Sequence, residues 1–161
     1  MATRVGINGF GRIGRTAFRV WYDKHRSKAE LVAVNTSGSM DLASWAHLLK
    51  YDTNYGVWPH EIIVQEHQKA KTATDADPVI GTLIIGDVHV QFLAQRDPVK
   101  LPWGSLGVDT VIESTGVFIS TEKASLHLHG GAKRVVISAP PKGEDIGTFV
   151  LGVNETAGTH S

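Results

Sequence analysis

The stretch VGINGFGRIGR, residues 5–15, places glycine at positions 9, 11 and 14, in the spacing G-x-G-x-x-G. A loop of this kind does its chemistry with backbone rather than side chains. The first glycine makes a tight turn out of a strand. The second has no Cβ, so the chain can lie close against an anion. The third lets the following helix pack on the strand. The free N–H groups at the start of that helix carry about half a positive charge and hold phosphate. Gly9, Gly11 and Gly14 take these three roles in order. Asn8 closes the strand, and the backbone of Arg12 and Ile13 supplies the donors. The chain has 17 glycines, so the motif gains weight only because it follows RVGIN and opens a helical pattern. The alternative is a purely structural use of the same glycines in tight packing.

Dinucleotide-binding folds place an acidic residue about 20 residues further on, at the tip of the second strand, to hold a ribose 2′-hydroxyl. Here that tip reads Asn35, Thr36, Ser37, Gly38, Ser39, with no carboxylate, and Asp41 belongs to the next helix. Small hydroxyls donate to a 2′-phosphate, which a carboxylate would repel. The tip therefore points to NADP, or to use of both NADP and NAD. The alternative is that Asn35 or Ser37 only turns the chain and other groups hold NAD.

Other candidates for chemistry are weaker. There is no cysteine, hence no disulfide, no thiolate metal site and no cysteine nucleophile. His127 and His129 are two apart and do not share a helix face, so no metal site is expected. The G-x-S-x-G context of a serine nucleophile is missing. Glu113, ending a strand, reads as a loop-bonding or capping carboxylate rather than a base. Asp52 reads as structural and His47 as a helix-face residue. Trp45, Trp58 and Trp103 are expected to pack a core or a subunit contact.

The elements that must position the glycine loop are legible as patterns. RVGIN (4–8), ELVAVN (30–35), DTVIEST (109–115) and KRVVISA (133–139) are short, apolar and rich in Val and Ile, which suits a parallel sheet covered on both faces. RIGRTAFRVWYDK reads as a crossover helix with Ile13, Ala17, Val20 and Trp21 on its inner face. Residues 41–52 read as a second helix, capped by Asp41 and facing inward through Trp45, Leu48 and Leu49. Residues 120–131 read as a third, capped by Ser120 or Thr121 and ended by Gly130. Between them, residues 61–67, 81–86 and 88–94 read as strands, with Gly86-Asp87 as a tight turn and 68–79 as a polar loop. The fold class is α/β: a Rossmann-type doubly wound, mostly parallel sheet with a small antiparallel insert. With 161 residues, 42% hydrophobic content and zero formal net charge, one globular domain is expected, and a nucleic-acid partner is not. No apolar run reaches the roughly 18 residues of a membrane span, and no signal-peptide pattern opens the chain, so a cytoplasmic location is the expectation.

VGINGFGRIGR, HLLKYDTNYG (47–56), RDPVKLPWGSLGVDTVIESTGVF (96–118), GGAKRVVISAP (130–140) and GVNE (152–155) occur in this order. Together they resemble the nicotinamide-binding half of phosphorylating glyceraldehyde-3-phosphate dehydrogenase, over nearly the whole chain; residues 57–82 are longer and less typical. The resemblance implies a set of roles. Arg12 and Ile13 would bind the pyrophosphate, and Asn35 would close on the adenosine ribose. Thr36 stands where many relatives carry an NAD-selecting Asp, so the resemblance implies cofactor use that is not restricted to NAD. Arg96 would line the adenine site. Ser114, Thr115, Gly116 and Phe118 would form the turn beside the cofactor, and Ser138 and Ala139 the turn near the nicotinamide. In that family a cysteine nucleophile, in a motif like S-C-T-T-N, follows the GVN segment, and a histidine base lies beyond it. This chain ends at ETAGTHS, before such a motif. Residues 1–161 are thus expected to form one NAD(P)-binding domain, inactive alone, with the catalytic domain absent from this chain and supplied in cis or in trans. Homo-oligomers are expected. The resemblance leaves open an erythrose-4-phosphate dehydrogenase half, and a stand-alone binding or assembly module.

Overall fold

The computed structural model describes residues 2–143 and 145–154. Glu155 of the GVNE segment and the rest of the ETAGTHS end lie outside these described residues. The chain opens with β1 (Thr3–Asn8), α1 (Arg12–Val20) and a wide turn at Trp21–His25. β2 (Ala29–Thr36) and α2 (Leu42–Lys50) follow, then a small hairpin of β3 (Tyr51–Asp52) and β4 (Gly56–Val57). β5 (Ile63–Glu66), β6 (Val79–Ile85) and β7 (Val88–Ala94) come next. β8 (Thr110–Glu113), α3 (Thr121–Ala124), α4 (Leu126–His129) and β9 (Arg134–Ile137) complete the order.

Seven strands form one sheet in the order β5-β6-β7-β2-β1-β8-β9. The pairs β7–β2, β2–β1, β1–β8 and β8–β9 are parallel. β5–β6 and β6–β7 are antiparallel, so the insert extends the sheet rather than standing apart from it. Gly86 and Asp87 form the two-residue turn between β6 and β7, with Gly86 at φ +59°. The connection from β1 to β2 goes one way and the chain later returns to β8 on the other side of β1. That reversal leaves a crevice at the carboxyl ends of β1 and β8, where open α/β sheets bind ligands.

One core lies beneath α1 and α2 and holds an aromatic cluster among aliphatic side chains. Phe10 meets Phe18, Trp45 and Phe92 edge-to-face at centroid distances of 5.8, 6.0 and 5.1 Å. The other packs Trp103, Leu93, Leu101, Val108 and Val111 together. Trp45, Trp58 and Trp103 are all core residues. Gly6 in β1 serves Trp103, since a Cβ there would stand 2.8 Å from its ring.

Two expectations about helices are corrected. The inner face of α1 is Gly14 and Phe18, with Ala17 and Trp21 partly covered; Ile13 and Val20 are exposed. Gly14 pulls the helix onto the strand, and the positions three and four further on follow it inward. Residues 120–131 form two short helices rather than one. The Ser125 hydroxyl bonds back to the Glu122 carbonyl at 2.8 Å, a local competitor to the helical pattern. Ser120 is the cap of α3, accepting from Lys123 N–H at 3.4 Å.

Candidate functional site

Register brings the expected site residues to one edge of the sheet. Asn8 is level with Asn35 and Glu113, Thr36 with Ala94, and Glu113 with Ile137. Backbone bonds tie these tips together. Gly9 N–H donates to Asn35 C=O at 3.0 Å, Ser114 N–H to Asn8 C=O at 2.8 Å, and Ser138 N–H to Glu113 C=O at 3.0 Å.

The three glycines differ in what demands them. Gly9 sits at φ +94°, and a Cβ there would lie 2.7–2.9 Å from Thr115 and Ser114. A Cβ on Gly14 would overlap the Gly9 carbonyl. Fold and packing account for both. Gly11 has an ordinary φ of −66°, and a Cβ on it would meet nothing within 4 Å. It stands at the start of α1, where Arg12, Ile13 and Gly14 have N–H groups without intrahelical partners. Glycine suits this N-cap position, but no packing contact calls for it; close approach of an anion does. The Arg12 guanidinium lies to the side, 3.9 Å from Asp52. The N–H groups of Tyr55 and Asn54 hold the Asp52 carboxyl below its ordinary range, and that carboxylate organises the 52–55 turn.

Beneath the crevice runs a chain of buried polar side chains that sequence reasoning missed. Trp103 Nε1–H donates to His127 Nδ1 at 3.1 Å. An indole N–H can only donate, so Nδ1 accepts and the ring carries its proton on Nε2. Nε2–H then donates to Glu113 Oε2 at 2.9 Å, and Asn8 Nδ2 donates to the same oxygen at 2.6 Å. Glu113 Oε1 accepts from Thr115 N–H at 2.7 Å and from the Thr115 hydroxyl. On the other side Asn35 Nδ2 donates to Asn8 Oδ1 at 2.7 Å and to Gln95 C=O at 2.8 Å, while Asn35 Oδ1 accepts from Gln95 N–H at 3.0 Å. The network thus joins the tips of β8, β1, β2 and β7. Burial raises the Glu113 pKa, but the hydrogen bonds from His127, Thr115 and Asn8 outweigh it and hold the carboxyl below its ordinary value. Glu113 is a loop-bonding carboxylate, as the sequence suggested, and it fixes the Ser114–Gly116 turn. The faint signal for the rest of the network was His127 between Leu126 and Leu128 in a short helix.

At the tip of β2 one expectation needs correcting. Thr36 is 2% exposed, and its hydroxyl donates to Leu93 C=O at 3.0 Å and accepts from Gly38 N–H. It offers no donor to the crevice. Asn35, equally buried, spends its amide in the network; neither side chain reaches outward. Ser37 and Ser39 are exposed, with their hydroxyls 3.1 Å apart, and Arg96 Nε donates to Ser37 C=O at 3.2 Å. Thr115 and Gly116 are exposed beside the glycine turn, Phe118 is half-buried with its edge toward His127, and Ser138 and Ala139 follow β9. A cavity of about 560 Å³ opens at the β2–β7 end, lined among others by Ser37, Gly38, Lys71, Asp75, Arg96 and Lys100.

A doubly wound sheet, a glycine turn at its reversal point and a helix start with free N–H groups together define a dinucleotide-binding domain. Residues 3–121 match the family described as glyceraldehyde 3-phosphate dehydrogenase, NAD binding domain, and the chain belongs to that family. It is 50% identical over 157 residues to glyceraldehyde-3-phosphate dehydrogenase 1 of Streptomyces avermitilis, covering 98% of this chain and 42% of that protein. Identity is 47% over 152 residues to the Thermotoga maritima enzyme, covering 94% of this chain and 40% of that one. It is 43% over 152 residues to the chloroplastic B form of Pisum sativum, covering 94% and 30%. The chain thus spans less than half the length of these curated relatives. Among the described residues, no helix is long and apolar enough to cross a membrane.

Proposed function

We propose that residues 1–161 are the cofactor-holding part of a phosphorylating glyceraldehyde-3-phosphate dehydrogenase that works with NAD or NADP. The observation that carries this reading is Gly11, open on its Cβ side at the start of α1, where no packing contact calls for glycine. The backbone N–H groups of Arg12 and Ile13 would hold the diphosphate, and Gly11 would let it approach them. Arg96 would line the adenine end. Thr115, Gly116 and Phe118, steadied by the Glu113 network, and the Ser138–Ala139 turn would flank the nicotinamide end. When bound, the dinucleotide supplies the hydride acceptor for aldehyde oxidation. A thiolate that attacks the aldehyde would not come from these 161 residues, which hold no cysteine.

Calorimetric titration with NAD+ tests the reading. The chain is expected to bind NAD+, and Gly11→Val is expected to abolish binding while costing no more stability than the loss of a favourable N-cap residue, about 0.5–2 kcal/mol, because its Cβ meets no protein atom. Equal binding by the variant and the parent would remove the phosphate assignment. The chain alone is expected to form no NADH from glyceraldehyde 3-phosphate and phosphate.

A further inference from the structure

The turn that follows β8 runs from Ser114 to Phe118 and is held from below at both ends. At its start the Ser114 hydroxyl donates to Gly9 C=O at 2.7 Å, which joins it to the glycine turn. Thr115 gives its N–H and its hydroxyl to Glu113 Oε1, and its hydroxyl oxygen accepts from Val117 N–H at 3.0 Å. Gly116 sits at φ +74°, and a Cβ there would meet nothing within 4 Å, so the tip of the turn faces open space. Phe118 closes the turn, its ring centroid 6.0 Å from that of His127.

One side chain supports both ends. His127 is fully buried, comes from α4 and is no part of the turn. Its Nε2–H bonds the carboxylate that orients Thr115, and its ring meets Phe118. Its other nitrogen is taken by the indole N–H of Trp103, itself completely buried, which fixes the tautomer and the ring plane together. Asn8 Nδ2 stands 3.4 Å from His127 Nε2, and two N–H groups do not bond each other, so both converge on Glu113 Oε2. A buried polar chain of this length costs desolvation at every member, and what it gains is one fixed arrangement. That arrangement ends on the exposed turn. The β2–β7 end of the crevice stands on separate bonds, Asn35 to Gln95 and Gln95 to Asp75, which His127 does not touch.

We propose that His127 is the positioning residue for the nicotinamide end of the dinucleotide site: it sets Thr115 through Glu113 and Phe118 through ring contact, and so raises affinity for ligands that carry the nicotinamide ring. The inference rests on the dinucleotide reading given above, which supplies the ligand of this turn. A hydrogen bond to a charged group is the link being tested, and its loss shifts affinity by about tenfold or more.

Calorimetric titrations of the chain with NAD+ and with ADP-ribose, which lacks only the nicotinamide, test it on the parent, His127→Leu and His127→Gln. His127→Leu removes the donor to Glu113 and is expected to weaken NAD+ about tenfold while moving ADP-ribose by less than about twofold. His127→Gln offers an amide N–H to Glu113 and is expected to bring NAD+ back to within about threefold of the parent. Equal loss of both ligands, loss of neither, or no recovery in His127→Gln would overturn the positioning role and leave the dinucleotide reading standing. The parent supplies a measurement that needs no variant to fold. In nitrogen-15 spectra His127 is expected to show the Nε2–H tautomer, with that N–H signal shifting on addition of NAD+ and staying in place with ADP-ribose. The Nδ1–H tautomer, or equal shifts with both ligands, would overturn the proposal. A parent that binds neither ligand would overturn the dinucleotide reading and the positioning role together.

Discussion

Glu113 is the residue on which the crevice turns. It is a buried carboxylate with four donors on its two oxygens, from His127, Asn8 and twice from Thr115. Its folded-state pKa lies below the ordinary 4.5. The ionised form therefore contributes stability in full above about pH 4.5, and that contribution is lost as pH falls through the lower folded value. Glu113→Gln changes volume little but turns one acceptor into a donor. If the amide oxygen keeps Thr115, its NH2 faces the Nε2–H of His127 and the Nδ2–H of Asn8. A buried donor left without an acceptor costs about 1–3 kcal/mol. The variant is expected to be less stable than the parent by that amount at pH 7, with the gap narrowing toward pH 3. Thermal unfolding across that range measures both; a gap independent of pH would show that the carboxylate charge contributes nothing.

At the scale of elements, what the sequence showed and what it hid separate cleanly. β1, β2 and β8 were legible because buried parallel strands are nearly continuous apolar runs; β9 shows the same Val- and Ile-rich run although it lies at the sheet edge with no residue buried, and the glycine turn was legible because its spacing sits between a strand and a helix. The direction of α1's inner face was not, because Gly14 has no side chain to register in an apolar pattern, yet it is the residue drawn closest to the strand. Nor was the inward turn of Thr36, which depends on the Leu93 carbonyl 57 residues away. Residues 68–79 read only as a polar loop, since the clamps on this segment, from Asp41 to Ala70 and from Gln95 and Lys100 to Asp75, are long-range. Asp41 illustrates the point. It occupies the cap position of α2, with its carbonyl accepting from Ser44 and Trp45, but its carboxylate reaches across to Ala70 instead of capping. Asp41→Ala is therefore expected to free the segment more than the helix. Amide exchange at Ala70 is expected to speed up about fivefold or more, with global stability falling by less than about 1 kcal/mol. Unchanged exchange at Ala70 would mean that the clamp on Asp75 suffices.

The whole molecule presents apolar surface that its own core does not use. Between positions 149 and 153, Phe149, Val150, Leu151 and Val153 are 53%, 54%, 89% and 76% exposed. Val117 after β8 and Val136 in β9 are exposed by more than half as well, and β9 is an edge strand of the sheet. Apolar side chains left this exposed favour association, and an uncovered strand edge adds unpaired backbone groups. Zero formal net charge gives no long-range repulsion to keep copies apart. Because association is driven by mass action, it is concentration-dependent. The chain is expected to sediment as a dimer or larger species at roughly tens of micromolar and to dissociate on dilution. Leu151→Asp combined with Val153→Asp places two charges on the most exposed part of the patch and is expected to shift the distribution to monomer. Both positions are exposed, so the fold should not change, and circular dichroism checks that. Sedimentation velocity over a dilution series reads the outcome. A parent that stays a compact monomer at every concentration, and binds no dye specific for exposed apolar surface, would show that residues 149–153 fold against the chain's own surface in solution.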